Sequence, residues 1–406
     1  MKKIFYKEWG IESPKYWLIL VVLAAIAGVG GLAAYYMEHN GHWVTGMSNQ
    51  VVWGTPHVFA VFLIVAASGA LNVASIGSVF NKTAYKPLAP LSGLLAIALL
   101  IGGLLVLVLD LGRPERLIVA MTTYNFKSIF AWNIILYNGF IVIVALYLWT
   151  LMDRKVKRYY KAAGMTAFVW RLILTTGTGS IFGFLVARQG YDAAIMAPWF
   201  IIMSFAFGLA IYIIVLLDVF KRDQRPLGDA IVTRLKNLLG IFIAANLFFM
   251  VVYHLTNLYG TENHAYETFI LLEGGVYTMS FWVGQVLIGG LVPLAIVFHP
   301  ALGKQRSWLT AASVMVILGG LASMYVIIIG GQAFPMSLFP DKTIIDSGFY
   351  DGVGGAIAAY TPSLPEFLLG IGGVGVALVI TVIGIRMLKI LPVSLADEVA
   401  DPHASA

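Results

Sequence analysis

Asn49–Gly69 reads NQVVWGTPHVFAVFLIVAASG, a polar approach with one tryptophan that runs through Thr55, Pro56 and His57 into an apolar stretch long enough to cross a bilayer. Threonine is a good helix N-cap, and proline in the first turn loses nothing by lacking an N–H. The pattern therefore predicts a helix capped by Thr55, with His57 in its first turn. An imidazole at membrane depth is costly unless it faces a partner or a wet cavity.

The rest of the chain repeats the apolar half of that pattern. Sixty per cent of the 406 residues are hydrophobic and 11% charged, and the mean hydropathy is +0.87, outside the range of soluble globular proteins. Windows of about 20 apolar residues fall at 16–37, 57–79, 88–110, 129–152, 165–187, 197–218, 237–259, 276–299, 308–330 and 366–388. The expectation is an all-α, polytopic membrane protein with ten transmembrane helices in one integral membrane domain, 1–406. Residues 1–15 are a basic flank. The apolar run behind them is too long for a signal-peptide core and no small-residue cleavage site follows, so span 1 reads as retained.

Lys and Arg set the orientation. Counted by alternate loops, one side of the membrane holds all of the 26 basic residues except Arg113, Arg116, Lys127, Arg188 and Lys342. That side reads as cytoplasmic, with both termini on it, and the location as the cytoplasmic (inner) membrane. The net charge of +6 lies in short loops and forms no stripe, which points to the lipid bilayer and away from nucleic acid. The absence of cysteine excludes disulfides, zinc thiolates and any iron–sulfur cluster held by this chain. A loop at 331–365, opening GGQAFPMSLFP, is expected on the periplasmic side, long enough to bind something or to lid a site.

With that topology, polar residues collect in the outer third of the spans. His57 opens span 2 and Asp110 closes span 3; Asn133 and Tyr137 share one face at the start of span 4; Thr178 nears the end of span 5; His254 closes span 7; Gln285 lies early in span 8; and Gln332 follows span 9. A shared depth on several helices suggests one cavity, although residues near helix ends can also snorkel or tie helices together. The inner half is sparser. Asn72, Arg171, Asp218 and Asn246 lie there, Arg171 and Asp218 near the cytoplasmic ends, as end anchors or as marks of a proton route.

His57 and Asp110 are the informative pair. The positive end of span 2 disfavours an imidazolium at His57; the negative end of span 3, together with desolvation, disfavours a carboxylate at Asp110. A short loop joins the two spans, so their outer ends should meet. A neutral imidazole beside a carboxyl group suits chemistry that moves protons with electrons, of which quinone reduction and quinol oxidation are the plain examples; a structural hydrogen bond is the plainer alternative. Haem is the rival cofactor, but only His57 and His254 share a suitable depth and no span carries two histidines a few turns apart.

WGTPHVFAVFLIVAASG, LVLDLGRPER (107–116), SIFAWNIILYNG (128–139), GGVYTMSFWVGQVLIGGLVP (274–293) and IIIGGQAFP (327–335), in that order, resemble the polysulfide-reductase membrane subunit family, NrfD/PsrC. Among its branches the chain is most similar to the DsrP/HmeB subunit of the DsrMKJOP complex, and it is related to the hydrogenase membrane subunit HybB. The resemblance implies an eight-helix core at 57–330 built as two four-helix bundles, with 16–37 and 366–388 as additional helices. It implies a quinone, menaquinone or a relative, as bound substrate, and no haem or iron–sulfur cluster in this chain. The implied partners are a periplasmic ferredoxin-like [4Fe–4S] subunit and further membrane and cytochrome subunits, in a respiratory complex of dissimilatory sulfur metabolism.

His57 matches the family's pocket histidine and Asp110 the acid of its D-L step, which makes them the expected catalytic pair. Ser128, Trp132 and Asn133 fall in its S-x-x-x-W region. Asn133, Tyr137, Thr178, His254 and Gln285 are expected to shape the pocket. Two departures remove titratable groups and put proton pumping in doubt: TTGTGS (175–180) where HybB-like relatives have a histidine, and Gln285 where relatives often have a glutamate. A secondary transporter is the competing reading. It requires broken helices at corresponding points, for which Gly177–Gly179 and Gly330–Gly331 are the candidates. A purely structural membrane anchor is the third, at odds with so many buried polar groups.

Overall fold

A computed structural model of the chain describes residues 4–10, 14–336 and 357–400, so most of the expected 331–365 loop lies outside the described residues. Ten long helical segments occupy the ten predicted windows: α1 Pro14–Asn40, α2 Thr55–Ser78, α3 Thr83–Leu109, α4 Ile129–Met152, α5 Tyr160–Gly183, α6 Met196–Arg222, α7 Asp229–Tyr259, α8 Val276–Phe298, α9 Arg306–Ala333 and α10 Leu364–Met387. All but α5 are long and apolar enough to cross a membrane. The protein is a multi-pass, all-α integral membrane protein.

α2 is the axis of the assembly. In its apolar window 89% of residues are buried, and it packs against α3, α6, α9 and α10. Its backbone meets that of α6 directly: a β-carbon on Gly69 would strike the Ser204 carbonyl, and one on Gly208 would strike the Ala70 amide, so glycine is required at both. The helix is interrupted after Ala70 and restarts at Asn72. Ser92 of α3 patches the gap, donating to the Ala70 carbonyl (2.7 Å) and accepting from the Ala74 amide (3.1 Å), which removes the cost of unpaired backbone in an apolar layer. α1 lies outermost, packed on α10 where Gly30 faces Gly372.

Three expectations need correction. α5 starts before the predicted 165 and ends at Gly183, so Arg171 sits at its midpoint and not near a cytoplasmic end, while Arg188 stands clear of it. The helix runs unbroken through Gly177–Gly179, and Gly330–Gly331 lies where a π-helical turn passes back into α-helix, so neither glycine stretch is the unwound segment a transporter needs. The expected loop does not open at 331: Gly331–Ala333 is helical.

The ends of the helices divide by chemistry. At one end, called here the His57 end, the start of α2 meets the ends of α3 and α9. At the basic end Tyr6–Lys7 pairs antiparallel with Leu391–Pro392, and Arg225 donates to the carbonyls of Glu8, Leu391 and Pro392.

Candidate functional site

α2 begins at Thr55 with Gly54 as its cap, not Thr55. The threonine is engaged elsewhere: its amide donates to the Tyr360 hydroxyl (2.7 Å), and its own hydroxyl lies 2.8 Å from the same oxygen. Pro56 still occupies the first turn, and His57 N–H closes onto the Gly54 carbonyl. That geometry aims the imidazole across the α2–α3 hairpin at Asp110, the C-cap of α3, with Nδ1 2.6 Å from Oδ2. The Asp110 side chain is fully buried and that of His57 is 14% exposed, so the ring stands between a sealed carboxyl group and open space. The open space is a cavity of about 640 Å³, walled by residues of the 42–53 loop, by His57 and by Asp110, Leu111 and Gly112. Trp53 stacks on the imidazole at 5.9 Å and 21°. Asp110 Oδ1 has no hydrogen-bond partner among the described residues.

Three side chains from distant parts of the chain shape the loop that forms the cavity wall. Gln332 accepts from the amides of Val52 and Trp53 (both 3.0 Å) and donates to the Trp53 and Ile328 carbonyls (2.9 and 2.8 Å). The π-helical turn Val326–Gly330 leaves the Ile328 carbonyl able to accept also from Tyr191 Oη at 2.6 Å. Arg188 donates to the carbonyls of Gln332 (2.8 Å) and Gln50 (2.9 Å). Glu366, wholly buried, accepts from the Gly46 amide (2.8 Å) and from Tyr360 Oη (2.7 Å). Burial pushes the Tyr360 phenol far above its ordinary range, so the hydroxyl keeps its proton and remains the donor to Glu366; Thr55 must then donate to Tyr360.

Of the sequence-expected residues, His57 and Asp110 share the cavity and the other five do not line it. Asn133, Tyr137 and Thr178 join α4 to α5: Asn133 Nδ2 donates to the Gly177 carbonyl (3.1 Å), Tyr137 lies against Thr178, and Thr178 donates to the Leu174 carbonyl. His254 belongs to a second buried pair, its Nδ1 2.7 Å from Glu267 Oε2, with Asn257 Nδ2 donating to Oε1 at 2.8 Å. Phe281 closes on that imidazole at 4.7 Å. Gln285 is buried on the π-helical stretch Ser280–Leu291, its Oε1 unpartnered among the described residues. The single outer cavity expected from shared depth is thus split, because helix packing puts the polar ends of α2–α3 and of α7–α8 into separate clusters.

Sequence reasoning passed over Glu366, Tyr360, Glu267 and the role of Trp53. Glu366 had a readable signal: Ser363-Leu-Pro-Glu366 spells a capping box, and both of its hydrogen bonds form. Glu267 had none, since an acidic residue in a loop reads as solvent-facing.

The family model for polysulphide reductase NrfD matches residues 43–336, from the cavity-wall loop through Gln332. The chain belongs to the NrfD family. The matched stretch takes in α2 to α9 and leaves α1 and α10 outside. Relatives extend the likeness over nearly the whole chain. The Hdr-like menaquinol oxidoreductase integral membrane subunit of Archaeoglobus fulgidus is 29% identical over 98% of this chain and 99% of its own. A selenate reductase subunit from Mesobacillus selenatarsenatis is 24% identical over 92% and 94% respectively. Protein NrfD of Escherichia coli is 23% identical over 60% of this chain and 84% of its own.

Proposed function

We propose that this chain is the quinone- and quinol-binding membrane subunit of a respiratory redox complex, and that the cavity beside His57 holds the quinone ring. The observation that carries the proposal is the hydrogen-bonded His57–Asp110 pair at the wall of a cavity of about 640 Å³, a volume inside the range of about 300–1,000 Å³ usual for small-molecule sites. Oxidation of a quinol releases two electrons and two protons. His57 Nε2, with Nδ1 committed to Asp110, accepts a hydroxyl proton from the bound ring, and the carboxylate steadies the imidazolium so formed. In the reverse direction the same nitrogen donates. Trp53, stacked on His57, offers a flat apolar wall for the ring. With no cysteine, the chain passes the electrons to clusters on a partner; a ferredoxin-like [4Fe–4S] subunit docked at the His57 end, on the periplasmic side of the cytoplasmic membrane, is the proposed acceptor or donor. Further membrane and cytochrome subunits, and a place in sulfur metabolism, complete the reading. The name of the Archaeoglobus relative supports the quinol, and the names of the Archaeoglobus and Mesobacillus relatives, each a subunit of a redox enzyme, support a complex.

The test is a His57→Ala variant of the isolated complex, with quinol-dependent reduction of the partner's clusters followed optically. Turnover should fall roughly 100- to 10,000-fold, the usual worth of a positioned acid–base group, with assembly intact. An assembled variant turning over at the wild-type rate overturns the assignment.

A further inference from the structure

The interface between α2 and α5 carries two facing polar stripes. Ser68, Asn72, Ser75 and Ser78 follow one another at spacings of three or four on α2, as do Arg171, Thr175 and Thr178 on α5, and all seven are buried. The stripes are joined: Thr175 Oγ1 donates to Ser68 Oγ (2.6 Å), Ser68 Oγ to the Arg171 carbonyl (3.2 Å), and Arg171 Nη2 to Asn72 Oδ1 (2.9 Å). The joined part covers Ser68, Asn72, Arg171 and Thr175; beyond it Ser78 ends α2 at the basic end, and Thr178 lies against Tyr137 on the side of the His57 end, so polar side chains follow one another along the helix pair. Ser75, Ser78 and Thr178 each donate here to a carbonyl four residues back on their own helix, and a hydroxyl that rotates away from such a carbonyl can hand a proton along the row.

Arg171 breaks the row. It lies at the midpoint of α5, is wholly inaccessible to solvent, and makes no ion pair with any described carboxylate. Phe168 and Phe205 cover its guanidinium at 5.0 and 4.9 Å, and Nε is left without a partner among the described residues. A charge held uncompensated in the apolar layer is expensive, and such residues mark function more often than packing. We infer that Arg171 is a proton barrier: its fixed positive charge, set in the middle of the α2–α5 seam, keeps protons from crossing the membrane along that row. A unit charge about 5 Å away at an effective dielectric constant near 20 lowers local proton occupancy on the order of 100-fold. Positive groups exclude protons from channels in the same way.

Two substitutions remove the charge by different routes. Arg171→Gln deletes it. Asn72→Asp, which changes only an amide nitrogen to oxygen, leaves the guanidinium in place but pairs it. The purified full chain is placed in phosphatidylcholine vesicles enclosing a pH-sensitive dye, and proton entry is driven by a potassium diffusion potential. Wild type should match protein-free vesicles, while Arg171→Gln and Asn72→Asp should admit protons about tenfold faster or more. If Arg171→Gln fails to fold, Asn72→Asp decides. Proton-tight Asn72→Asp vesicles or a leaky wild type each overturn the inference.

Discussion

The protein holds two histidine–carboxyl pairs of nearly equal geometry. His57 Nδ1 stands 2.6 Å from Asp110 and His254 Nδ1 2.7 Å from Glu267; both carboxyl side chains are fully buried, and the imidazoles are 14% and 11% exposed. An aromatic ring covers each histidine, Trp53 in one case and Phe281 in the other. They differ in what is left over. Asp110 keeps one oxygen unpartnered among the described residues and its histidine borders a cavity, whereas both Glu267 oxygens are hydrogen-bonded. On the proposed function the same two functional groups serve exchange in one place and cohesion in the other, and unspent hydrogen-bonding capacity beside a cavity makes the difference.

Substitutions can break this comparison. Glu267→Ala leaves His254 and Asn257 buried without their acceptor, and should lower stability in detergent by about 3–5 kcal/mol, read from a thermal melt. Asp110→Asn should act the other way round: its amide oxygen still accepts from His57 Nδ1, and the atom that changes has no hydrogen bond to lose, so stability should change by less than about 1 kcal/mol, while quinol turnover falls. Equal melting shifts in the two variants would erase the distinction. Gln332→Ala removes a buried amide that satisfies two amides and two carbonyls of the frame around the cavity; roughly 1–3 kcal/mol should be lost, with weaker binding of a quinone analogue. Trp53→Ala should cost least, about 1 kcal/mol or fivefold in the affinity of that analogue, with the melt of the second pair unmoved.

Much of the arrangement was readable beforehand. The ten apolar windows, the short α2–α3 connection and the position of Asp110 at the end of α3 were enough to anticipate that His57 and Asp110 meet. Errors followed where local sequence carries no signal for a distant partner. Thr55 looked like a cap because capping is a local rule, and it lost that role because Tyr360 reaches it from 305 residues away. Arg171 looked like an end anchor because a charged residue is expected at a membrane boundary; the start of α5 is polar enough to hide where the helix begins. Gln332 looked like a loop residue because two glycines precede it, though glycine in a π-helical turn packed against Tyr277 and Tyr191 remains helical.

For Asn49–Gly69, the sequence by itself determined a membrane helix with a histidine in its first turn, because apolar length and proline position depend only on near neighbours. It also determined that the chain must span the bilayer many times. Only the tertiary structure decided that the stretch before the helix becomes a cavity wall, since Gln332, Arg188 and Glu366 converge on it from three remote segments. Only packing parted His57 from His254, because which polar ends share a space depends on how helices cross, and that is set by side chains far apart in the chain.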